Sequence, residues 1–173
     1  MLLILALVLA IIVEIIILCN KKLARTVPTN YILLGIFTLC EGYIVAAVAS
    51  LYQPGIVVAS ALLTAAAVLG LTLYAYFTKS DFTSGSGILA VLAGTLLMLG
   101  ILTIFFHSPV LTTIYCSIAV FFFGIYLVVD TQMIIGEKRY EINEEDYIFA
   151  AMVLYIDIIQ LFLNILRILG EKR

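Results

Sequence analysis

Residues 147–169 read YIFAAMVLYIDIIQLFLNILRIL, a hydrophobic run long enough to cross a lipid bilayer as one helix. At helical spacing Asp157, Gln160, Asn164 and Arg167 fall on one face, and the opposite face is apolar. An ionisable side chain at mid-bilayer costs at least about 2.5 kcal/mol on insertion scales. We therefore expect this polar face to contact other helices or a water-filled cavity. The rest of the chain is expected to surround this helix. Apolar positions such as Leu161 need not be equally shielded from lipid.

The composition of the whole chain indicates an integral membrane protein. Of its 173 residues, 65% are hydrophobic and 12% are charged, which is more apolar than a soluble domain needs. About six runs are long enough to span a bilayer. They are Met1–Cys19, Tyr31–Tyr52, Ile56–Phe77, Gly87–Phe106, Val110–Ile135 and Tyr147–Leu169. Short links join them, so the sequence predicts an all-helical bundle forming a single transmembrane domain over residues 1–173.

The basic residues predict the orientation of the bundle, because cytoplasmic links are enriched in Lys and Arg. The odd-numbered links carry them: Lys21, Lys22 and Arg25 in the first, Lys79 in the third, and Lys138 and Arg139 in the fifth. This pattern places Met1 on the non-cytoplasmic side. The tail at 170–173 would then lie on the same side, although it is basic and the rule would place it in the cytoplasm. The alternative is that the last run enters the membrane and returns to the side from which it came. The net charge of −2 gives no indication of a nucleic-acid partner.

Two intramembrane aspartates are the strongest candidates for function. Asp130, in VVDTQ, lies near the end of the fifth run, and Asp157 lies inside the sixth. The two helices are antiparallel and joined by a short link, so the carboxyl groups can reach a similar depth. Two carboxyl groups in contact in an apolar site cannot both ionise easily and share a proton. The pair would then be a proton-sensitive latch that binds a cation when deprotonated. The other interpretation is two unrelated acids, each satisfied locally.

Other acidic residues leave more than one interpretation open. Glu41 is a third intramembrane acid, which either joins a cation path with the aspartates or hydrogen bonds, protonated, to a neighbouring helix. Glu14 is expected to snorkel or pair locally toward Lys21. Asn143 and the acids at 144–146 predict an N-cap and the first turn of the last helix. A calcium-binding role for this acidic segment is the less favoured alternative, because it lacks the alternation and central glycine of an EF-hand loop, and no metal site is firmly assigned.

Known intramembrane proteases do not fit the chain. In aspartyl proteases of the membrane, paired acids activate a water, but Val129 precedes Asp130 where those enzymes have Tyr, and no Gly-x-Gly run precedes Asp157. Ser86 lies in a loop, SGSG, without the glycine that a rhomboid-type nucleophile has two residues earlier. His107, in another short loop, is expected to be an interfacial side chain. We therefore expect a protein that is not an enzyme and needs no cofactor.

Several stretches resemble one family of membrane proteins. They are PTNYILLGIFTLCEGYIVA at 28–46, YAYFTKSDFT at 74–83, DTQ at 130–132, and NEEDYIFAAMVLYIDIIQLFLNILRILG at 143–170. On these stretches the chain resembles the Bax inhibitor / lifeguard family, also called transmembrane Bax inhibitor motif proteins, and is most similar to the branch that contains the Golgi anti-apoptotic protein. It departs from that branch at Val129, where relatives commonly have Tyr.

The resemblance implies a fold of seven helices, in which two three-helix brackets enclose a central C-terminal helix; the first of the seven is expected to be missing here. It also implies a calcium leak across Golgi or endoplasmic reticulum membranes, suppression of apoptosis, and a pH-sensitive di-aspartyl latch at Asp130 and Asp157. The expected partners are the lipid bilayer, calcium ions and other membrane proteins of the cell-death pathway. Two alternatives remain: a non-conducting adaptor that binds such proteins, and a proton-coupled transporter.

Overall fold

The computed structural model describes residues 1–106, 108–136 and 141–170, with the side chain of Ser86 excepted. The described chain is helical, and six of its helices are long and apolar enough to cross a membrane, which confirms the predicted all-helical membrane fold. The helices are α1 (Leu2–Cys19), α2 (Lys21–Arg25), α3 (Thr29–Ala49), α4 (Pro54–Phe77), α5 (Ser86–Phe106), α6 (Pro109–Ile135) and α7 (Tyr147–Leu169). The predicted bounds differ from these by a few residues at most, and the bounds of α7 are identical.

Capping residues explain where several helices begin and end. Pro54 and Pro109 occupy the first positions of α4 and α6, where a missing backbone N–H costs nothing. The Ser108 side chain accepts a hydrogen bond from the Leu111 N–H at the start of α6. Gly136 ends α6 with φ of 81°, a left-handed conformation that glycine adopts without a steric penalty.

Two local features correct the sequence prediction. The link at 21–28 contains the short helix α2, and the acids at 144–146 form a 3₁₀ turn that precedes α7 instead of its first helical turn. Asn143 caps this 3₁₀ turn and not α7 itself, because its side chain accepts a hydrogen bond from the Glu145 N–H at 3.0 Å. In this turn the carboxylates of Glu145 and Asp146 both bind Arg25 of α2, which anchors the turn to the first link.

Some predictions fall on residues outside the described ranges. The basic residues Lys138 and Arg139, which contributed to the predicted orientation, are among them, as are His107 and the last three residues of the tail.

Helix α7 lies at the centre of the bundle. It contacts α6 most extensively, and α4 and α3 after that. Its Ile148 and Met152 share a core cluster with residues of α1 and α3, which include Val13 and Phe37. The pair α1 and α3 therefore covers one side of α7, while α4 and α6, with α5 packed on α6, cover the other. This is the predicted arrangement of two groups of helices around a central last helix.

The polar face of α7 is largely shielded, as expected. Asp157 and Asn164 are 4% and 2% exposed, and Gln160 is half-buried, whereas Arg167 is exposed near the helix end. The apolar side is shielded as well, because α7 is enclosed on several sides, and Leu161 is only 1% exposed. The sequence did not require this burial of Leu161.

Cysteine labelling tests the central position of α7. Starting from a parent in which Cys19, Cys40 and Cys116 are replaced by Ser, a lipid-soluble maleimide should label Leu97→Cys in α5, which is 64% exposed, several times faster than Leu161→Cys in α7. The reason is that protein, and not lipid, covers Leu161. Equal labelling rates in liposomes would show that α7 lies at the periphery of the bundle.

Candidate functional site

The side chains of Asp130 and Asp157 meet in the interior of the bundle. Asp130 is 7% exposed and Asp157 is 4% exposed, and the two carboxyl groups are close enough to form a hydrogen bond with each other. An ionised carboxylate can only accept, so a hydrogen bond between two carboxyl groups requires a proton on one of them. A pair at this distance can share one proton, which leaves it with one negative charge.

Local structure explains why these two side chains reach each other. Asp130 lies five residues before the C-terminal end of α6, and Asp157 lies ten residues after the start of α7, in helices that pack closely through an antiparallel turn. The described part of the link folds back on α6, since the Ile142 N–H donates to the Met133 carbonyl at 2.9 Å.

A cleft of about 430 Å³ between α5, α6 and α7 leads to the pair. Besides the two aspartates, its wall is apolar and aromatic: Ala93, Leu96, Leu97, Tyr115, Phe122, Phe123, Tyr126, Val153 and Ile156. Neither aspartate forms a salt bridge with a described side chain. Within the described residues, the Oδ2 atom of Asp157 is buried and has no hydrogen-bond partner. Among the described side chains, none therefore neutralises a negative charge on the pair.

Gln132 supports the site in a way that the sequence analysis missed. Its side chain is 1% exposed, accepts from the Phe82 N–H at 3.0 Å and donates to the Ser80 carbonyl at 3.0 Å. It therefore holds the α4–α5 link against α6 only two residues beyond Asp130. The signal was present in the DTQ stretch, because an amide in an apolar run needs hydrogen-bond partners when it is buried.

Glu41 belongs to a different part of the bundle from the aspartate pair. It does not line the cleft that contains Asp130 and Asp157. Glu41 of α3 and Glu14 of α1 are both half-buried and close enough to interact electrostatically, and Tyr155 of α7 lies near Glu41. The expectation that Glu14 snorkels or pairs locally stays a prediction. The prediction that Glu41 contributes to an ion path stays a prediction.

The remaining polar residues of α7 do not extend the aspartate pair into a continuous polar chain. The Asn164 amide donates to the Gln160 carbonyl of its own helix at 2.8 Å, and its Oδ1 atom has no partner within the described residues. Arg167 lies beside the buried sulfur of Cys116 at the other end of α6. The geometry thus separates the aspartate pair from the rest of the polar face.

Six candidate spans and a buried carboxyl pair between the last two helices define a multi-pass integral membrane protein. A family model described as "Inhibitor of apoptosis-promoting Bax1" matches residues 1–173. The chain therefore belongs to the Bax inhibitor / lifeguard family, which is linked to anti-apoptotic function.

Curated relatives agree with this family. Human Protein lifeguard 3 is 34% identical over 158 residues, which cover 89% of this chain and 51% of the relative. Mouse Protein lifeguard 3 is 33% identical over 158 residues, with the same coverage of both chains. Mouse Protein lifeguard 4 is 37% identical over 146 residues, or 84% of this chain and 59% of the relative. The chain thus spans about half the length of the curated relatives it matches.

Replacing Gln132 by Ala should destabilise the protein by about 1–3 kcal/mol, because the Phe82 N–H and the Ser80 carbonyl lose their partner in a buried place. Chemical unfolding in detergent measures this change. Ser84→Ala is the matched control in the same link, since it removes an exposed hydrogen bond to Asp81 and should change stability by less than about 0.5 kcal/mol. Equal unfolding of both variants would show that Gln132 does not hold the link.

Proposed function

We propose that this protein conducts a passive, pH-sensitive calcium leak across an internal membrane, Golgi or endoplasmic reticulum, and so contributes to the suppression of apoptosis. The observation that carries the proposal is the close approach of the buried carboxyl groups of Asp130 and Asp157 at one cleft. In this proposal the chain is not an enzyme, and calcium is the transported ion.

The carboxyl pair can act as a latch between α6 and α7. With one proton, the hydrogen bond joins the two helices at the depth of Asp130 and Asp157. Without it, two negative charges face each other in a site of low dielectric, where repulsion is stronger than in water. The other titratable side chains of the cleft are Tyr115 and Tyr126, which supply no positive charge. Loss of the proton therefore both weakens the helix contact and attracts a cation.

The two carboxyl groups supply too few oxygen ligands to bind calcium tightly, which suits an ion that passes through the site. Calcium takes about six to eight oxygen ligands, and two carboxyl groups supply at most about four. In the described part of the chain, no group of three or more His, Cys, Asp or Glu side chains could complete a metal site. A calcium ion at the pair would keep part of its water shell, and it would leave again easily.

Family membership supports the cellular part of the proposal. The matching family model is described by inhibition of apoptosis-promoting Bax1, and curated relatives carry the name lifeguard. A leak that lowers the calcium content of an internal store is a way in which this membrane protein could suppress apoptosis. Because the chain covers about half of those relatives, activity, ion and membrane are proposed for this chain and not transferred to it.

Calcium efflux from liposomes across about pH 5 to 8 tests the latch, because a proton shared by the pair would make the flux depend on pH. Asp157→Asn keeps size and hydrogen bonding but cannot titrate, so the flux should lose most of its pH dependence. Asp130→Asn should do the same, and the double variant should add little, because the two groups act as one unit. Glu144→Gln, the same chemical change at an exposed acid, should keep the parental pH profile.

Three results would count against the proposal. Parental pH curves in both aspartate variants would rule out the latch. Purified protein that conducts no calcium at any pH would favour the adaptor, which acts by binding other membrane proteins. Flux that needs a proton gradient, and not just a given pH, would favour a proton-coupled transporter.

A further inference from the structure

We propose that the cleft between α5, α6 and α7 is a binding site for a hydrophobic, monovalent amine, whose ammonium group contacts the carboxyl of Asp157. The cleft measures about 430 Å³, which lies in the range of small-molecule sites, about 300–1,000 Å³. A largely apolar wall with a few convergent polar groups is typical of such sites. Here the convergent polar groups are the two aspartates.

The carboxyl groups of Asp130 and Asp157 form the polar end of the cleft. Both residues line it, and Asp157 is 4% exposed. Neither residue forms a salt bridge with a described side chain. An ammonium group that enters the cleft would therefore meet a carboxyl pair that has no cationic partner among the described residues.

The charge of the pair selects a monovalent cation. One shared proton leaves one negative charge on Asp130 and Asp157, and no described lysine or arginine forms a salt bridge with them. A monovalent ammonium group would neutralise this charge. An anion would add to it, and a neutral molecule would leave it unpaired in a site of low dielectric.

The wall of the cleft selects a hydrophobic body for this cation. Tyr115, Phe122, Phe123 and Tyr126 contribute aromatic rings. Aromatic faces attract ammonium groups and also bury apolar surface, and this combination is how proteins recognise organic cations. A bare metal ion would find no further oxygen ligands along most of this wall, whereas an aryl or alkyl group would fill it.

Amine binding goes beyond the proposed calcium leak and does not need it. Only one consequence rests on the proposed function: an amine held on the aspartate pair should slow the leak, because it occupies the oxygens that attract calcium. Binding and flux are measured separately. Amine binding without calcium flux would support the amine site and contradict the proposed function. Calcium flux without amine binding would support the proposed function and contradict the amine site.

Equilibrium dialysis with 2-naphthylmethylamine tests the site, with the protein in lipid nanodiscs and empty nanodiscs as the blank for partitioning. The naphthyl fluorescence is free of tryptophan background, since the chain has no Trp. We expect saturable binding of one amine per chain. The neutral analogue 2-naphthylmethanol should bind at least about tenfold more weakly, because it cannot form the charge-assisted hydrogen bond.

Two variants locate the bound amine. The Asp130→Asn, Asp157→Asn double variant removes the charge and should weaken amine binding at least about tenfold while leaving that of the alcohol unchanged. Ala93→Leu adds bulk to the wall of the cleft and should weaken binding of both molecules, whereas Ala90→Leu, at an exposed position one turn earlier on α5, should not. Non-saturable binding, equal affinity for amine and alcohol, or unchanged amine binding in the folded double variant would overturn the proposal.

Discussion

The close approach of two buried carboxyl groups is the constraint on which the centre of this bundle depends. Neither Asp130 nor Asp157 forms a salt bridge with a described side chain, so their site tolerates one negative charge much better than two. The proton that they share therefore both removes a charge from the bundle interior and joins α6 to α7. Because α7 is enclosed by the other long helices, a change at this bond acts at the point where the two helix groups meet.

A second set of polar contacts connects the start of α7 to α2 and α3. Arg25 of α2 binds Asp146 through two nitrogen atoms, at 2.7 and 2.8 Å, and Glu145 at 2.6 Å. Nearby, the Asn30 amide donates to the Tyr147 hydroxyl at 2.7 Å. Exposed ion pairs contribute little one by one, but a forked arginine held by two acids is geometrically specific. These contacts fix the start of α7 against α2 and α3, and they therefore help to set the depth of Asp157.

The sequence was sufficient for the architecture and for the choice of the aspartate pair. Hydrophobic length predicts the spans, and the polar side chains at helical spacing identify α7 as an enclosed helix. The proximity of Asp130 and Asp157 follows from a short link between antiparallel helices. Their rotation about the helix axes does not follow from it, so the hydrogen bond itself needed the structure.

Contacts between residues far apart in the chain were beyond the sequence analysis. Nothing local in Glu14 or Glu41 indicates that α1 and α3 bring these acids together, since periodicity describes one helix at a time. Gln132 and Arg25 were missed for the same reason, because their partners lie in other links. The burial of Leu161 likewise depends on how many helices surround α7, which its own apolar pattern does not encode.

Infrared spectroscopy of the purified protein in lipid at neutral pH tests the shared proton most directly. Protonated carboxyl groups absorb apart from carboxylates and shift in heavy water, so each can be followed separately. We predict a band from a protonated, hydrogen-bonded carboxyl group that disappears in the Asp130→Asn, Asp157→Asn double variant and persists in Glu144→Gln. A carboxyl spectrum that the double variant leaves unchanged would contradict the account, because the pair would then share no proton.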